Sequence, residues 1–167
     1  MEFIIRKVLP EEADEYTVCQ VSCWQAAYKG IVPNDYLHAM YSDKRVERCR
    51  KALSESEDSY CAELKGEMIG RLVFGKSRDE EKPDAGEIEA IYLTAPFWGK
   101  GFGKKMMDYA IAALKEQGCN EAIAWMLEEN NRARLFYEKY GFTFDGAKKE
   151  IELGKALTLI RYVLNLR

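Results

Sequence analysis

The stretch that decides the fold is residues 97–105, which read FWGKGFGKK. It lies between a predicted strand over residues 87–93 and a predicted amphipathic helix over residues 102–117. Its three alternating glycines allow the backbone to approach a ligand closely, because glycine has no Cβ. Backbone N–H groups and the positive end of the helix dipole attract an anion, and three lysines add charge nearby. The stretch therefore predicts a phosphate-binding turn, although a helix start that is merely rich in glycine explains the pattern about equally well.

Two better-known nucleotide-binding patterns do not match this stretch. The P-loop requires Ser or Thr after Gly-Lys, but Lys105 follows here, and the first glycine of the motif would fall on Trp98. The dinucleotide pattern Gly-x-Gly-x-x-Gly requires a third glycine where this chain has Lys104. These mismatches argue against a nucleotide-binding module.

Outward from this turn, the chain alternates strands and helices without an internal repeat or a linker. Hydrophobic periodicity predicts seven strands, over residues 3–8, 59–64, 68–75, 87–93, 121–127, 142–152 and 156–164. It predicts helices over residues 10–30, 33–40, 43–53, 102–117 and 130–140. The strand–helix–strand unit around the glycine turn requires a parallel strand pair, whereas the hairpins on either side require antiparallel pairs. The sequence therefore predicts a single α/β domain over residues 1–167, with a mixed central sheet flanked by helices.

Composition excludes several classes of protein. The 167 residues carry 25 basic and 28 acidic side chains, and this balance lacks the basic excess of a nucleic-acid binder. Five cysteines without a Cys-x-x-Cys pair, and a single histidine, provide no convincing set of metal ligands. The longest uncharged stretch, residues 16–28, is shorter than the ~18 apolar residues that a membrane span needs. The N-terminus has no signal-peptide pattern, so we expect a cytoplasmic protein. Together with the observations above, this predicts a protein without a metal, nucleic-acid or membrane partner.

A second stretch, residues 130–142, reads NNRARLFYEKYGF. It matches the pattern Asn-x-x-Ala-x-x-Phe-Tyr-x-x-x-Gly-Phe, and residues 98–103 match Gln/Arg-x-x-Gly-x-Gly/Ala except that Trp98 occupies the first position. Both patterns, in this order and separated by a helix and a strand, resemble the signatures of the GNAT N-acetyltransferases. The resemblance in element order covers nearly the whole chain and implies the GNAT fold.

The resemblance also implies acetyl-CoA as the co-substrate. Backbone groups of Ile91, Tyr92 and Leu93 would bind the pantetheine arm, and Asn130 would contact the arm or cap its own helix. The pyrophosphate would lie on the turn formed by Gly99, Lys100, Gly101, Phe102, Gly103 and Lys104. Trp98 replaces one polar side chain of the family pattern but leaves these backbone N–H groups in place.

Acetyl transfer to an amine requires a deprotonated amine, donors for the thioester carbonyl and an acid for the leaving thiolate. The amine attacks the thioester directly, so no nucleophilic side chain is needed. The resemblance implies that Tyr137 is the general acid, although Tyr137 also fits the apolar face of its helix. It implies that the backbone N–H of Leu93 binds the carbonyl oxygen.

The general base is less clearly indicated. Period-two alternation predicts that Glu87, Glu89, Ile91 and Leu93 lie on one face of their strand. Glu87 or Glu89 is therefore a candidate base, acting directly or through a water chain, and a solvated strand end is an equally good reading of Glu87. Trp125 occupies the position on the next strand where other family members have a glutamate.

The sequence predicts the acceptor only by class, as a small amine, a polyamine, an amino acid or a peptide N-terminus. The regions that form the substrate wall in the family carry Trp24, Tyr28, Asp35 and Tyr36, and Glu150 and Glu152 lie on the far side. Aromatic and acidic groups suit a cationic amine, although scattered charges usually form a solvated face. A non-catalytic acyl-CoA sensor on the same fold is the alternative function, and a homodimer stays open.

Overall fold

Seven strands form one sheet in the computed structural model, which describes residues 2–167. The strands are β1 (Phe3–Lys7), β2 (Ser59–Leu64), β3 (Glu67–Lys76), β4 (Gly86–Leu93), β5 (Glu121–Leu127), β6 (Thr143–Glu152) and β7 (Ala156–Asn165). The helices are α1 (Ala13–Ala27), α2 (Asn34–His38), α3 (Asp43–Glu55), α4 (Phe102–Glu116) and α5 (Asn131–Tyr140). The predicted single α/β architecture is confirmed.

The strand order across the sheet is β1-β2-β3-β4-β5-β7-β6. The pair β4–β5 is parallel, as predicted for the strand–helix–strand unit, and the five other neighbouring pairs are antiparallel. The mixed sheet follows from local connections, because hairpins join antiparallel neighbours and α4 carries the chain across to a parallel one.

Helix boundaries follow the capping residues. The segment from Pro10 to Glu12 is a 3-10 turn, so α1 begins at Ala13 rather than at the predicted Pro10. Asn130, predicted as the first helix residue and as a possible cap of its own helix, is the N-cap residue of α5, which begins at Asn131. Gly118 has a φ of 83° just after α4, which fits its predicted role as the stop of that helix.

The two faces of the sheet bury different helices. On one face, α4 and α5 cover the largest cluster of buried side chains, and the predicted apolar stripe of α4 (Phe102, Met106, Ala110 and Leu114) is at most 5% exposed. On the other face, α1, α2 and α3 cover two smaller clusters that include Tyr16 and Leu127. Both faces of the described sheet are therefore covered by helices.

Strand β4 contains a bulge that changes which side chains face which helix. Val73 of β3 pairs with Ala90, but the next residue of β3 pairs with Ile88, so Glu89 is an extra residue in β4. Ile88 and Ile91 consequently both contact the α4 side of the core. The prediction that Glu87 shares a face with Ile91 and Leu93 is therefore wrong, because the extra residue interrupts the alternation.

Beside this bulge, β4 and β5 separate. Within residues 2–167, their ladder consists of two pairs, Gly86 with Ala122 and Glu87 with Ile123. The remainder of β4, through Leu93, has no partner in β5. Its backbone N–H and C=O groups on that edge are available to a ligand that enters the gap.

Candidate active site

A cavity occupies the gap between β4 and β5. Its walls come from both strands, the first turns of α4 and α5, and the last residues of α1. It brings together seven of the predicted site residues: Glu89, Ile91, Tyr92, Leu93, Gly103, Asn130 and Tyr137. Elements from both faces of the sheet contribute, so the cavity can receive one ligand from the α4 side and another from the α1 side.

The glycine turn lies beside this cavity, between two lining residues, Trp98 and Gly103. Gly99 and Gly101 have φ values of 70° and 86°, in the left-handed region that favours glycine. Gly101 is the N-cap residue of α4, and no side chain accepts a hydrogen bond there. The first-turn N–H groups that an α-helix cannot satisfy internally are therefore available to an anion.

The third glycine is required for a different reason. At Gly103, an added Cβ would lie 3.1 Å from a ring carbon of Phe136. Gly103 thus allows α4 to approach α5 closely, whereas Gly99 and Gly101 would meet no atom within 4 Å and are needed for their backbone conformation.

The cations around the turn differ in how they are held. Lys104 Nζ bonds Asp108 at 2.8 Å, and Lys100 Nζ lies 5.7 Å from the ring centroid of Phe97. Arg132 lines the cavity, and its guanidinium carbon lies 3.4 Å from the ring centroid of Trp98. Burial lowers the pKa of Arg132, and among residues 2–167 no carboxylate pairs with it. An anion bound near Arg132 would relieve that cost.

Trp98 has a defined structural role. Its indole Nε1 donates a 2.8 Å hydrogen bond to the carbonyl of Leu93, at the end of β4. The bond fixes the strand end against the turn, while the face of the Trp98 ring contacts the guanidinium of Arg132. In place of the polar side chain in the family pattern, this chain thus has an aromatic platform carrying a guanidinium.

Tyr137 is buried, at 6% exposed, yet it lines the cavity. Its ring packs edge-on against Phe136 and Phe142. Burial, and next the nearby Tyr92, raise the pKa of Tyr137 well above its ordinary value, and no hydrogen bond within residues 2–167 contributes. Tyr137 therefore stays protonated at neutral pH, and its hydroxyl is uncommitted.

Asn130 caps the N-terminus of α5, one of the two roles predicted for it. Its Oδ1 accepts a 3.2 Å hydrogen bond from the backbone N–H of Ala133, which caps α5. The residue is 8% exposed and also lines the cavity. The cap fixes the start of α5, and with it the positions of Arg132 and Tyr137.

Glu87 and Glu89 have different surroundings. Glu87 is 3% exposed, and its two carboxylate oxygens accept hydrogen bonds from the backbone N–H, Nε and one Nη of Arg78. It anchors the loop after β3 and does not line the cavity. Glu89 is exposed at the bulge, lines the cavity and pairs with Arg78 through Oε1 at 3.1 Å.

The α1 side of the cavity is aromatic. The hydroxyls of Tyr28 and Tyr92 lie 2.6 Å apart, and burial raises the pKa of each. Trp24 packs edge-on against Tyr28, and its buried Nε1 has no hydrogen-bond partner within residues 2–167. Trp125 forms part of the wall from β5 and donates to Asp79.

The other predicted acceptor residues lie elsewhere. Asp35, Glu150 and Glu152 are exposed and do not line the cavity, and Tyr36 packs near Gly154. The sequence analysis did not single out Arg132 or Phe136 as lining residues. Their place within the second sequence pattern was the available signal, since residues flanking Tyr137 on one helix face reach the same gap.

Within residues 2–167, no group of three or more His, Cys, Asp or Glu side chains is arranged to hold a metal ion. None of the described helices has the length and apolar character needed to cross a membrane.

Comparison with known proteins gives a consistent result. The chain is 27% identical to an uncharacterized N-acetyltransferase, YuaI, of Bacillus subtilis, over 96% of this chain and 98% of that protein. It is 29% identical to glucosamine 6-phosphate N-acetyltransferase of Arabidopsis thaliana, over 68% of this chain and 73% of that protein.

Solved structures share the fold. A PaiA N-acetyltransferase from Thermoplasma acidophilum in complex with coenzyme A superposes with a TM-score of 0.78 at 19% identity, covering 99% of both chains. YncA from Salmonella typhimurium, a putative acetyltransferase with its cofactor acetyl-CoA, gives 0.71 at 19% identity, over 100% of this chain and 95% of that one. The family profile described as "Acetyltransferase (GNAT) family" matches residues 19–142. The resemblance seen in the two sequence patterns is thereby confirmed, and the chain belongs to the GNAT family of acetyltransferases.

Proposed function

We propose that this acetyltransferase moves the acetyl group of acetyl-CoA directly to a primary amine in the gap between β4 and β5. The observation that carries the proposal is the cavity itself. It joins an unpaired strand edge, a glycine turn at a helix start and an uncommitted tyrosine hydroxyl. Two of the structures with this fold hold coenzyme A or acetyl-CoA.

The cofactor would lie along the α4 side. Its pyrophosphate would bind the backbone N–H groups of residues 99–104, where the helix dipole also favours negative charge. Its pantetheine arm would pair with the free edge of β4 at Ile91, Tyr92 and Leu93, extending the sheet as a strand would. Asn130 would contact the arm near the start of α5. Arg132 would add a guanidinium that no carboxylate of the described chain neutralises.

The reaction needs no covalent enzyme intermediate. The lone pair of the neutral amine attacks the thioester carbon, and negative charge develops on the carbonyl oxygen, where the N–H of Leu93 would donate. The carbon–sulfur bond then breaks, and the sulfur receives a hydrogen bond or proton from Tyr137. The amine nitrogen loses a proton to a base.

For the base, the structure favours Glu89 over Glu87. Glu89 lines the cavity, and only one of its oxygens pairs with Arg78, so the other can accept a proton directly or through water. Glu87 already accepts three hydrogen bonds from Arg78 and lies outside the lining. A general base must come within hydrogen-bond reach of its proton, and geometry is the first criterion.

The acceptor would enter from the α1 side, between Tyr28, Tyr92 and Trp125. Aromatic walls suit a cationic amine through cation–π contact before deprotonation. Two relatives are named for different acceptors, glucosamine 6-phosphate and spermine or spermidine. We therefore propose a primary amine as the feature that the acceptors share, and the assay below identifies the rest of the acceptor molecule.

The test is release of the CoA thiol from acetyl-CoA, measured over a panel of polyamines, amino acids, amino sugars and short peptides. Acetylation of at least one amine, detected as product by mass spectrometry, supports the proposal. Saturable CoA binding without acetylation of any amine in the panel would instead favour a non-catalytic acyl-CoA sensor.

A further inference from the structure

A second cavity lies between α1, α3 and β3, and it shares no lining residue with the cavity between β4 and β5. Its volume is about 300 Å³, well above the roughly 10–15 Å³ that a site needs in order to hold one water molecule. Three arginines line it, Arg45, Arg48 and Arg71, and no aspartate or glutamate does. In a chain with a net charge of −3, this concentration of positive charge is local.

Arg71 provides the strongest indication of a ligand. It projects from β3 beneath α1, and its guanidinium carbon lies 5.0 Å from the ring centroid of Tyr16. Its Nε is buried and has no hydrogen-bond partner within residues 2–167. The ion pairs of the described residues do not include Arg71, and this half-buried side chain therefore has a buried donor atom without the partner that buried polar atoms normally have. An anion in the cavity would supply the missing partner.

The two arginines of α3 are also without a carboxylate partner in the described chain. Arg45 Nε donates to the carbonyl of Met40 at 2.7 Å, which holds the side chain while leaving its terminal nitrogens available. Two other cations of the same helix have acidic neighbours, in the pairs Arg50–Glu47 and Lys51–Glu55. Among the described residues, neither of the two cations that line the cavity has an acidic partner, and Lys44, which lies outside it, is also unpaired and exposed to solvent.

We propose that this cavity binds a tetrahedral oxyanion, a phosphate or sulfate group, held by Arg45, Arg48 and Arg71. Planar guanidinium groups donate two parallel hydrogen bonds to such oxygens, and a dianion compensates more than one cation. The ligand is either the free ion or the terminal phosphate of a small metabolite. The proposal does not depend on the acetyl-transfer function, because the two cavities are separate.

The experiment is a titration of the ¹⁵N-labelled full chain at constant ionic strength, followed by amide and arginine Nε–H resonances. Inorganic phosphate, sulfate and glycerol phosphate are added separately, with chloride as the balancing salt. Phosphate also suits the glycine turn, so the position of the shifts decides between sites. We expect saturable shifts at Gln20, Cys49, Ser59 and the Nε–H of Arg71, distinct from any at residues 99–105. The tighter ligand identifies the source of the oxyanion.

Matched variants separate a built site from a general charge effect. Arg71→Gln and Arg48→Gln each remove a charged donor, and we expect phosphate binding to weaken by about tenfold or more. Lys44→Gln removes the same charge from the same helix, but Lys44 is exposed and does not line the cavity, so affinity should stay within about twofold of the parent.

Arg48 is exposed, so its variant remains informative even where Arg71→Gln fails to fold. Three results would overturn the proposal: no saturable shift at the cavity residues, shifts confined to residues 99–105, or equal weakening by Lys44→Gln and Arg48→Gln.

Discussion

Replacement of Gly101 by valine tests whether the glycine turn binds the cofactor pyrophosphate. Gly101 has a φ of 86°, and a Cβ there would meet no atom within 4 Å. The chain also contains a matched control at the other end of α4. Gly118 has a φ of 83°, is exposed and likewise has open space around its Cα. Both variants impose the same backbone strain, but only Gly101 lies in the turn.

The expected magnitudes follow from that geometry. A left-handed conformation costs a residue with a side chain roughly 1–2 kcal/mol, so both variants should lose about that much stability and still fold. Gly101→Val also places a branched side chain where a phosphate must approach the backbone. Each charge-assisted hydrogen bond is worth about 1.5–3 kcal/mol, so the loss of even one weakens CoA binding by roughly tenfold or more.

Calorimetric titration with CoA, paired with thermal unfolding of each variant, provides the measurement. The expected result is an equal drop in melting temperature for both variants and a loss of CoA affinity for Gly101→Val alone. If Gly101→Val binds CoA as the parent does while remaining folded, the turn does not hold the pyrophosphate. Equal loss of affinity in Gly118→Val would show that strain in α4, rather than contact, causes the effect.

Three further predictions concern the chemistry. Tyr137→Phe should lower kcat by about 10²-fold, which is the lower end of the usual range for a general acid. The effect should be small because the raised pKa of Tyr137 makes its hydroxyl a weaker acid than a thiol, whose pKa is ordinarily about 8.5. A kcat within about twofold of the parent would mean that Tyr137 only packs in the core. Glu89→Gln should lower turnover most at low pH, where the neutral form of the amine is scarcest, whereas Glu87→Gln should chiefly lower the melting temperature. If the pH–rate profile changes in Glu87→Gln and not in Glu89→Gln, Glu87 is the base. Arg132→Gln should raise the KM for acetyl-CoA severalfold with kcat nearly unchanged, and an unchanged KM would remove Arg132 from the cofactor site.

The architecture was predictable because it is encoded locally. The apolar stripe of α4 recurs at helical spacing, and every residue of it is buried. Gly118 and Asn130 fall at helix ends, where their backbone and side-chain chemistry is favoured. Pro10 was a less exact guide, because proline suits the first turn of either a 3-10 or an α-helix.

The arrangement around the candidate base was not predictable in the same way. Alternation along β4 predicts one face for Glu87 and Leu93, and only the pairing of β4 with Val73 and Phe74 of β3 reveals the extra residue at Glu89. A bulge depends on the register between two strands, which a pattern within one strand does not contain. The same holds for the second cavity, since Arg71 is 23 residues from Arg48 in sequence and meets it through the packing of α3 and α1 over β3.

The bulge connects these observations. Because Glu89 is the extra residue, Glu87 lies on the opposite face of β4 from Leu93 and accepts three hydrogen bonds from Arg78. Glu89 lines the gap, and only one of its oxygens pairs with Arg78. The same irregularity adjoins the point where β4 leaves β5, which frees the strand edge that the cofactor arm would occupy. One added residue thus separates two neighbouring carboxylates into a structural anchor and a candidate base, and it adjoins the gap in which we propose that the substrate binds. We therefore expect that deletion of Glu89, if it restored continuous pairing between β3 and β4, would narrow the gap between β4 and β5 and also remove the candidate base. Glu89→Gln should remove the base alone. The two effects can then be separated, because CoA binding should weaken in the deletion variant and stay unchanged in Glu89→Gln.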